Sequence, residues 1–207
     1  MAALTIGDFD KAAQLVRDDP SVIHDRLPNS RIETPLHMAV KVNSLELIEL
    51  LLEQGMDIDT PTSRGFTALA MAAEMYCEFD TFKLLVERGA DIHTGNDSPL
   101  YAAIWQHAYG HWDYDSVIRY LIEKGSRPRG LCDCAQAGNL ALAKLLVEFG
   151  ADANETDEMA FYSMPPWSTG NTALDYCTGI AGKHKHPDVA EFLRENGAKH
   201  ASEIREE

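Results

Sequence analysis

The sequence predicts an all-α solenoid: a stack of short helix-turn-helix units joined by short hairpin loops. Three observations predict this fold. A motif recurs along the chain, and its two clearest copies open at Thr34 and Thr67, which are 33 positions apart. Each copy begins with the residue types that start a helix and closes on a Leu-rich run followed by glycine. Neither helix of such a unit could bury its apolar face alone, so stacked neighbours have to supply the core.

Each element of a unit follows from the local sequence. Thr-Pro-Leu-His-Met-Ala opens at Thr34, and Thr-Ala-Leu-Ala-Met-Ala opens at Thr67. Thr is a good N-cap, and Pro suits the first position of a helix. The second helix carries a Leu-Leu ridge and is expected to end at Gly55 or Gly89, because glycine readily adopts the left-handed conformation that closes a helix. Weaker copies open at Ser98, Leu131 and Thr172 and close at Gly125, Gly150 and Gly197.

These segments resemble ankyrin repeats, whose period is about 33 residues with a T-P-L-H-x-A opening. The resemblance covers nearly the whole chain and implies about six units with atypical ends, forming one continuous domain. The first unit lacks its opening motif, so we expect either a capping repeat or a repeat trimmed at its start. The predicted units are an N-terminal partial or capping repeat (1–33), repeat 2 (34–66), repeat 3 (67–97), repeat 4 (98–129), repeat 5 (130–171) and a C-terminal capping repeat with a tail (172–207).

Two units and two connections depart from the regular spacing. The fourth and sixth units carry about six and four extra residues between their helices, at His107–Asp115 and Gly182–Pro187. The connection after Gly125 is too short for an ordinary hairpin finger, whereas the finger at 151–171 is oversized. Aromatic residues, methionines and two prolines make this long finger suitable for binding. The alternative is that it covers the seam between the fifth and sixth units.

Composition excludes several classes of function. Lys and Arg number 18 against 33 Asp and Glu, and the net charge of −15 repels phosphate backbones and anionic lipid. The chain shows no export signal and no apolar stretch of membrane-spanning length, so we expect a soluble protein with neither nucleic-acid nor membrane partners. The four cysteines lie in apolar, helix-like segments, which predicts reduced thiols in the cytoplasm, with the nucleus as the alternative. These are Cys77, Cys132, Cys134 and Cys177.

A metal-dependent regulator or enzyme is the competing class. Four histidines fall in the two inserted turns: His107, His111, His184 and His186. The two pairs are a whole repeat apart, which places them roughly 20 Å from each other when packed helices are 8–10 Å apart. That separation is too large for one ion. No GxGxxG, phosphate loop, HExxH or GxSxG motif occurs, so we expect no enzymatic activity and no cofactor.

Four other residues have structural interpretations. His37 resembles the structural histidine of the ankyrin motif, which hydrogen-bonds the backbone of neighbouring turns. Cys134 and Cys177 occupy positions where other units have alanine, so we expect them to fill the core. The segment ending at Asn154 resembles one that asparaginyl hydroxylases modify in ankyrin repeats. A simple hairpin-turn role for Asn154 is the alternative.

The resemblance implies a protein-binding module that acts as a monomeric scaffold, adaptor or stoichiometric inhibitor. The acidic composition predicts a partner with a basic or mixed surface. A bacterial immunity or effector protein is another version of the same function. The groove of first helices and fingers is the usual contact face of ankyrin arrays, and here the short fourth connection is expected to open it into a notch. The candidate partner-binding residues are Met71, Glu74, Trp105, Asp133, Gln136, Phe161, Tyr162 and Trp167.

Overall fold

The computed structural model describes residues 9–24, 34–93, 99–157, 170–181 and 184–205. These residues form helices and no strand, and the one bridge among them is an isolated antiparallel pair of Thr156 and Thr172. The all-α prediction is therefore confirmed for this part of the chain. In chain order the α-helices are α1 (Phe9–Asp18), α2 (Pro35–Lys41), α3 (Leu45–Glu53), α4 (Ala68–Glu74), α5 (Phe79–Glu87), α6 (Pro99–Ala108), α7 (Asp115–Glu123), α8 (Leu131–Ala137), α9 (Leu140–Glu148), α10 (Ala173–Thr178), α11 (Pro187–Glu195) and α12 (Ala201–Ile204).

The first of two compact units comprises Met1–Ala102. Helices α2 and α3 pack as a pair, and α4 and α5 form a second pair. The two pairs stack first helix on first helix and second helix on second helix, while α1 packs against α3. Each pair buries the apolar side of its neighbour, as the repeat pattern predicts. The core residues with at most 1% exposure include Leu36, Ile48, Leu51, Leu69, Phe82 and Leu85.

His37 ties one repeat to the next in this unit. The imidazole is 1% exposed, and its Nδ1 accepts a hydrogen bond of 3.1 Å from the backbone N–H of Thr34. Its Nε2 lies 3.1 Å from the carbonyl oxygen of Phe66, which it reaches as a donor in the matching tautomer. The structural role predicted for His37 is confirmed.

The second compact unit comprises Ala103–Glu207, so the division falls inside α6. Helix α8 packs against α9 and α10, and α11 packs against α9 and α10. Cys134 and Cys177 are completely buried here, which confirms that they fill the core. All four cysteines of the chain are buried free thiols. No helix in the ranges given above is both long and apolar enough to cross a membrane.

The extra residues of the fourth unit lie partly in a helix, which corrects the prediction that they all lie in the turn. Helix α6 has 10 residues, whereas α4 and α8 have 7. Helical hydrogen bonding continues to the N–H of Tyr109, which donates to the Trp105 carbonyl oxygen at 3.2 Å. Gly110 then ends the helix with a left-handed φ of 71°. The remaining extra residues form the turn before α7.

The unequal connections are confirmed. Only residues 124–130 separate α7 from α8, whereas residues 149–172 separate α9 from α10. The short connection leaves no room for an ordinary finger, and the long one contains most of the predicted finger residues.

Candidate partner-binding surface

The first helices of the second unit carry an unusual combination of side chains. Helices α6, α8 and α10 contain no Lys or Arg, and their acidic residues are Asp133 and Asp175. Trp105 on α6 is partly exposed, and Gln136 on α8 is exposed. The corresponding positions of repeats 2 and 3 hold Lys41 and Glu74, so Trp105 places a large aromatic side chain where those repeats have a charged one.

Trp105 forms a cluster with two further aromatic rings. Tyr109 follows it by one helical turn, and the ring centroids are 5.3 Å apart at an interplanar angle of 47°. Gly110 reverses the chain after α6, and His111 then stacks on Trp105 with centroids 5.5 Å apart and an angle of 28°. Both distances lie in the favourable range for aromatic pairs. The cluster therefore presents the indole in a fixed environment.

A hydrogen bond joins this cluster to α8. The Tyr109 hydroxyl donates to Oε1 of Gln136 at 3.0 Å. Burial and the nearby negative charge of Asp133, with a smaller effect of Cys134, raise the pKa of Tyr109 to about 12. The hydroxyl therefore keeps its proton at neutral pH. We name the set Trp105, Tyr109, His111, Asp133 and Gln136 the aromatic-acidic surface.

Helix α8 begins without an N-cap side chain of its own. Its N-cap is Gly130, whereas helices α2, α4 and α10 have Thr at this position. A Cβ at Gly130 would lie 2.9 Å from Cγ2 of Ile104, and φ is 101°, so glycine is required there. Oε1 of Glu155 instead accepts the N–H groups of Gly130 and Leu131 at 2.6 and 2.7 Å. A residue from the following connection thus caps the helix that carries Asp133 and Gln136.

The charge on this capping carboxylate is held in an unfavourable environment. Burial raises the pKa of Glu155, and the negative charge of Asp133 adds to that effect. The two backbone hydrogen bonds and Arg129 act in the opposite direction without cancelling it. Glu155 therefore accepts two backbone hydrogen bonds at a buried position where loss of water around its carboxylate is unfavourable.

The base of the long finger is closed by hydrogen bonds. Asp157 N–H donates to the Asn171 carbonyl oxygen at 3.0 Å, and Asn171 N–H donates to Oδ1 of Asp157 at 3.2 Å. The Tyr176 hydroxyl donates to Oδ2 of Asp157 at 2.5 Å. Next to these contacts, Thr156 and Thr172 form the isolated bridge. The finger is therefore a hairpin at its base, anchored to α10.

Three predicted contact residues of the finger, Phe161, Tyr162 and Trp167, lie outside the described residues. The choice between binding and covering the seam stays open for them. Met71 and Glu74 belong to the first unit, where Met71 is 5% exposed and Glu74 is partly exposed at the end of α4. Met71 therefore has little surface to offer a partner. The predicted notch involves residues of both units and stays a prediction.

The structure brings three predicted residues together: Trp105, Asp133 and Gln136 all belong to the aromatic-acidic surface. Asp133 is 9% exposed, so it acts more through its charge than through contact area. Tyr109 and His111 were not among the predicted contact residues, although Tyr109 follows Trp105 by four residues in the sequence. Glu155 was also missed. The glycine at the N-cap position of α8 was the available signal, because it implies a cap from elsewhere.

The histidines of the inserted turns have local contacts. Nδ1 of His107 accepts the N–H of Tyr114 at 3.0 Å, which fixes the turn after α6. The ring of His186 packs against Gly138, where an added Cβ would lie 2.3 Å from its Nδ1. Within the described parts of the chain, no group of three or more His, Cys, Asp or Glu residues could hold a metal ion.

Two hydrogen-bonded side chains fasten the C-terminal end of the second unit. Asn154 donates to the Gly197 carbonyl oxygen at 3.2 Å and accepts the Lys199 N–H at 2.8 Å, so it has a structural role in the turn. Asp175 stands where the opening motif of repeat 2 has His. It accepts the backbone N–H groups of Thr172 and Ala201 at 3.0 and 3.1 Å.

Asp175 also holds the imidazole that begins α12. Its Oδ1 lies 2.7 Å from Nδ1 of His200. Burial opposes ionisation of Asp175, but the hydrogen bonds from Thr172, His200 and Ala201 together outweigh burial and lower the pKa of this carboxyl. The ionised carboxylate therefore fastens α12 to α10.

Comparison with known proteins supports the fold across both units. Residues 1–96 match the family model for ankyrin repeats in three copies. The mouse ankyrin repeat and SAM domain-containing protein 6 is 35% identical over 91 residues, 44% of this chain and 10% of that protein. Pig NF-kappa-B inhibitor alpha is 31% identical over 126 residues, 61% of this chain and 33% of that protein. The chain therefore spans only a minor part of these relatives.

A solved structure extends the likeness beyond the residues that the family model matches. The ankyrin repeat domain of human ASB11 superposes with a TM-score of 0.71 at 18% identity, covering 96% of this chain and 83% of that domain. This likeness shows the fold alone. Together, the stacked helix pairs, the family match over residues 1–96 and the shared fold show that the chain contains ankyrin repeats and has an ankyrin-repeat fold, without assigning it to a specific member.

Proposed function

We propose that this chain binds another protein through the aromatic-acidic surface of its second unit, acting as a scaffold, adaptor or stoichiometric inhibitor. Ankyrin repeats are protein-protein interaction modules. The observation that carries the proposal is the partly exposed Trp105, fixed between Tyr109 and His111 on a first helix. An aromatic residue that is already held in one position loses little conformational entropy on binding. Trp and Tyr are also the residue types that most often dominate the binding energy of an interface.

Four further residues predicted from the sequence are also proposed as partner contacts: Glu74 in the first unit, and Phe161, Tyr162 and Trp167 in the long finger. The net charge of −15 supports a partner with a basic or mixed surface. The similarity to NF-kappa-B inhibitor alpha favours the inhibitor version of the function.

We also propose that the chain acts as a monomer in the cytoplasm or nucleus and has no enzymatic activity of its own. Four buried free thiols support a reducing compartment. The metal-dependent alternative lacks support because the described residues provide no ligand set.

The test is a comparison of two tryptophan variants. The partner is captured from the native source with the tagged chain and identified, and its affinity for the purified protein is then measured by calorimetry. Trp105→Ala is expected to cost about 2 kcal/mol or more of binding free energy. Trp112→Ala is the matched control, because Trp112 is 48% exposed in the turn of the same repeat. Equal affinities of both variants and the parent chain would reject this surface as the binding site.

A further inference from the structure

We propose that the aromatic-acidic surface holds an Arg or Lys side chain of an extended basic segment in the partner. This inference rests on the proposed function and specifies the chemistry of its central contact. It is carried by three properties of the surface: its aromatic rings, its negative charge and the direction of its hydrogen bonds.

The aromatic rings provide a favourable site for a cation. The face of an indole attracts ammonium and guanidinium groups more strongly than the face of a phenol or benzene ring. Trp105 is partly exposed, and Tyr109 adds a second ring at 5.3 Å and 47°. His111 already stacks on the indole, so a flat guanidinium would use the part of the Trp105 ring that His111 leaves exposed, with its edge near the tilted Tyr109 ring.

The charged residues on α8 and at the base of the finger are acidic, while Arg129, in the connection before α8, lies close enough to Glu155 to oppose the rise of its pKa. Helices α6, α8 and α10 themselves contain no Lys or Arg. The charge of Asp133 is close enough to contribute to the raised pKa of Tyr109. Burial is the main cause of the raised pKa of Cys132, and the negative charges of Glu155, Asp133 and Asp157 add to it. A cation approaching α8 would therefore meet a concentrated negative potential, which favours both association and specificity.

The direction of the Tyr109 hydrogen bond selects a donor as the ligand. The hydroxyl proton is committed to Oε1 of Gln136, so the Tyr109 oxygen can only accept a further hydrogen bond. Arg and Lys side chains carry donors and no acceptor. A carboxylate or phosphate has no donor to offer this oxygen and would be repelled by Asp133. The same surface thus favours cations and disfavours anions.

The site can be tested with a defined probe before the partner is known. The probe is the capped peptide acetyl-Gly-Arg-Gly-Arg-Gly-amide, compared with peptides carrying norleucine or Glu in place of Arg. Indole N–H signals are followed in proton-nitrogen correlation spectra of the full chain, and Trp105→Phe assigns the Trp105 signal. We expect the Arg peptide to move the Trp105 signal saturably and the other two peptides to leave it in place.

Two variants with the same change of charge separate a local site from general attraction. Gln136→Lys places a cation beside Tyr109 and is expected to weaken binding of the Arg peptide about two- to fivefold or more, the scale of one exposed cation-π contact. Ser116→Lys adds the same charge at an exposed position of α7 and is expected to leave the affinity nearly unchanged. Thermal unfolding of both variants checks that each is folded.

Three outcomes would overturn the inference: an unmoved Trp105 signal, equal movement of the Trp105 and Trp112 signals, or equal weakening by Gln136→Lys and Ser116→Lys. If the captured partner still depends on Trp105 while the Arg peptide fails, the proposed function stands and the cationic contact is wrong. If the partner does not depend on Trp105 either, both proposals fail.

Discussion

Replacing Glu155 by Ala should destabilise the second unit, because α8 then loses its N-terminal cap. Two hydrogen bonds of 2.6 and 2.7 Å disappear, and the N–H groups of Gly130 and Leu131 lose their acceptor. Loss of an N-cap costs about 0.5–2 kcal/mol, and an unsatisfied buried donor costs about 1–3 kcal/mol. Relief of the desolvation of Glu155 offsets part of this loss. The net loss is expected to be about 2–3 kcal/mol.

Thermal unfolding followed by circular dichroism measures this loss. A chain of this size loses about 2–4 °C of Tm per kcal/mol, so we expect Glu155→Ala to lower Tm by roughly 4–12 °C. Glu191→Ala, at an exposed position of α11, is the matched control and should change Tm little. Equal Tm values for these two variants would show that α8 does not depend on this cap.

Glu155→Gln separates the hydrogen bonds from the charge. Gln keeps an oxygen that can accept the backbone N–H groups, so it should cost less than about 1 kcal/mol at neutral pH. The pKa of Glu155 is raised, so the folded chain binds this proton more readily than the unfolded chain. The stability that Glu155 contributes is therefore largest below its unfolded pKa of about 4.5 and falls as pH rises through the folded value. The unfolding free energy of Glu155→Gln minus that of the parent should accordingly rise from pH 4 towards about pH 7. If this difference does not change with pH, the charge of Glu155 is not buried as described.

Two further variants test the start of α8 and the attachment of α12 to α10. Gly130→Ala should lower the free energy of unfolding by about 1–3 kcal/mol, because φ is 101° and the new Cβ would meet Ile104. Gly125→Ala is the control, since Gly125 has a similar φ of 109° but no atom near the new Cβ, so it measures the backbone strain without the clash. Urea unfolding of both variants gives the two values. Asp175→Asn should cost about 1–3 kcal/mol at neutral pH. Because the pKa of Asp175 is lowered, the parent chain should be more stable than Asp175→Asn above about pH 3.8, and this difference in unfolding free energy should disappear as pH falls further. A difference that does not change with pH would show that the charge of Asp175 does not fasten His200.

Features that depend on neighbouring residues were predictable from the sequence. The opening motif at Thr34 predicts both the start of α2 and the role of His37, because both follow from contacts within one repeat and the adjacent turn. The core positions of Cys134 and Cys177 follow from alignment of one repeat with another. The unequal connections follow from counting between closing glycines and opening leucines.

The missed features depend on longer-range contacts or small energy differences. Glu155 caps a helix that begins 24 residues earlier in the chain, and no repeat pattern marks that pairing. The division of the extra residues between α6 and its turn depends on where Gly110 takes a left-handed conformation. The burial of Met71 is also a tertiary effect, since its position on the first helix was compatible with exposure. Tyr109 joined the site only because its hydroxyl reaches Gln136.

Hydrogen exchange of the chain with and without its captured partner tests the central claim most directly. The amides at the end of α6 and the following turn, 105–111, and those of α8, 133–137, should exchange more slowly in the complex. Amides of the second helices α7, α9 and α11 should be unaffected. Protection confined to these second helices, with unchanged exchange at 105–111 and 133–137, would contradict binding through the aromatic-acidic surface.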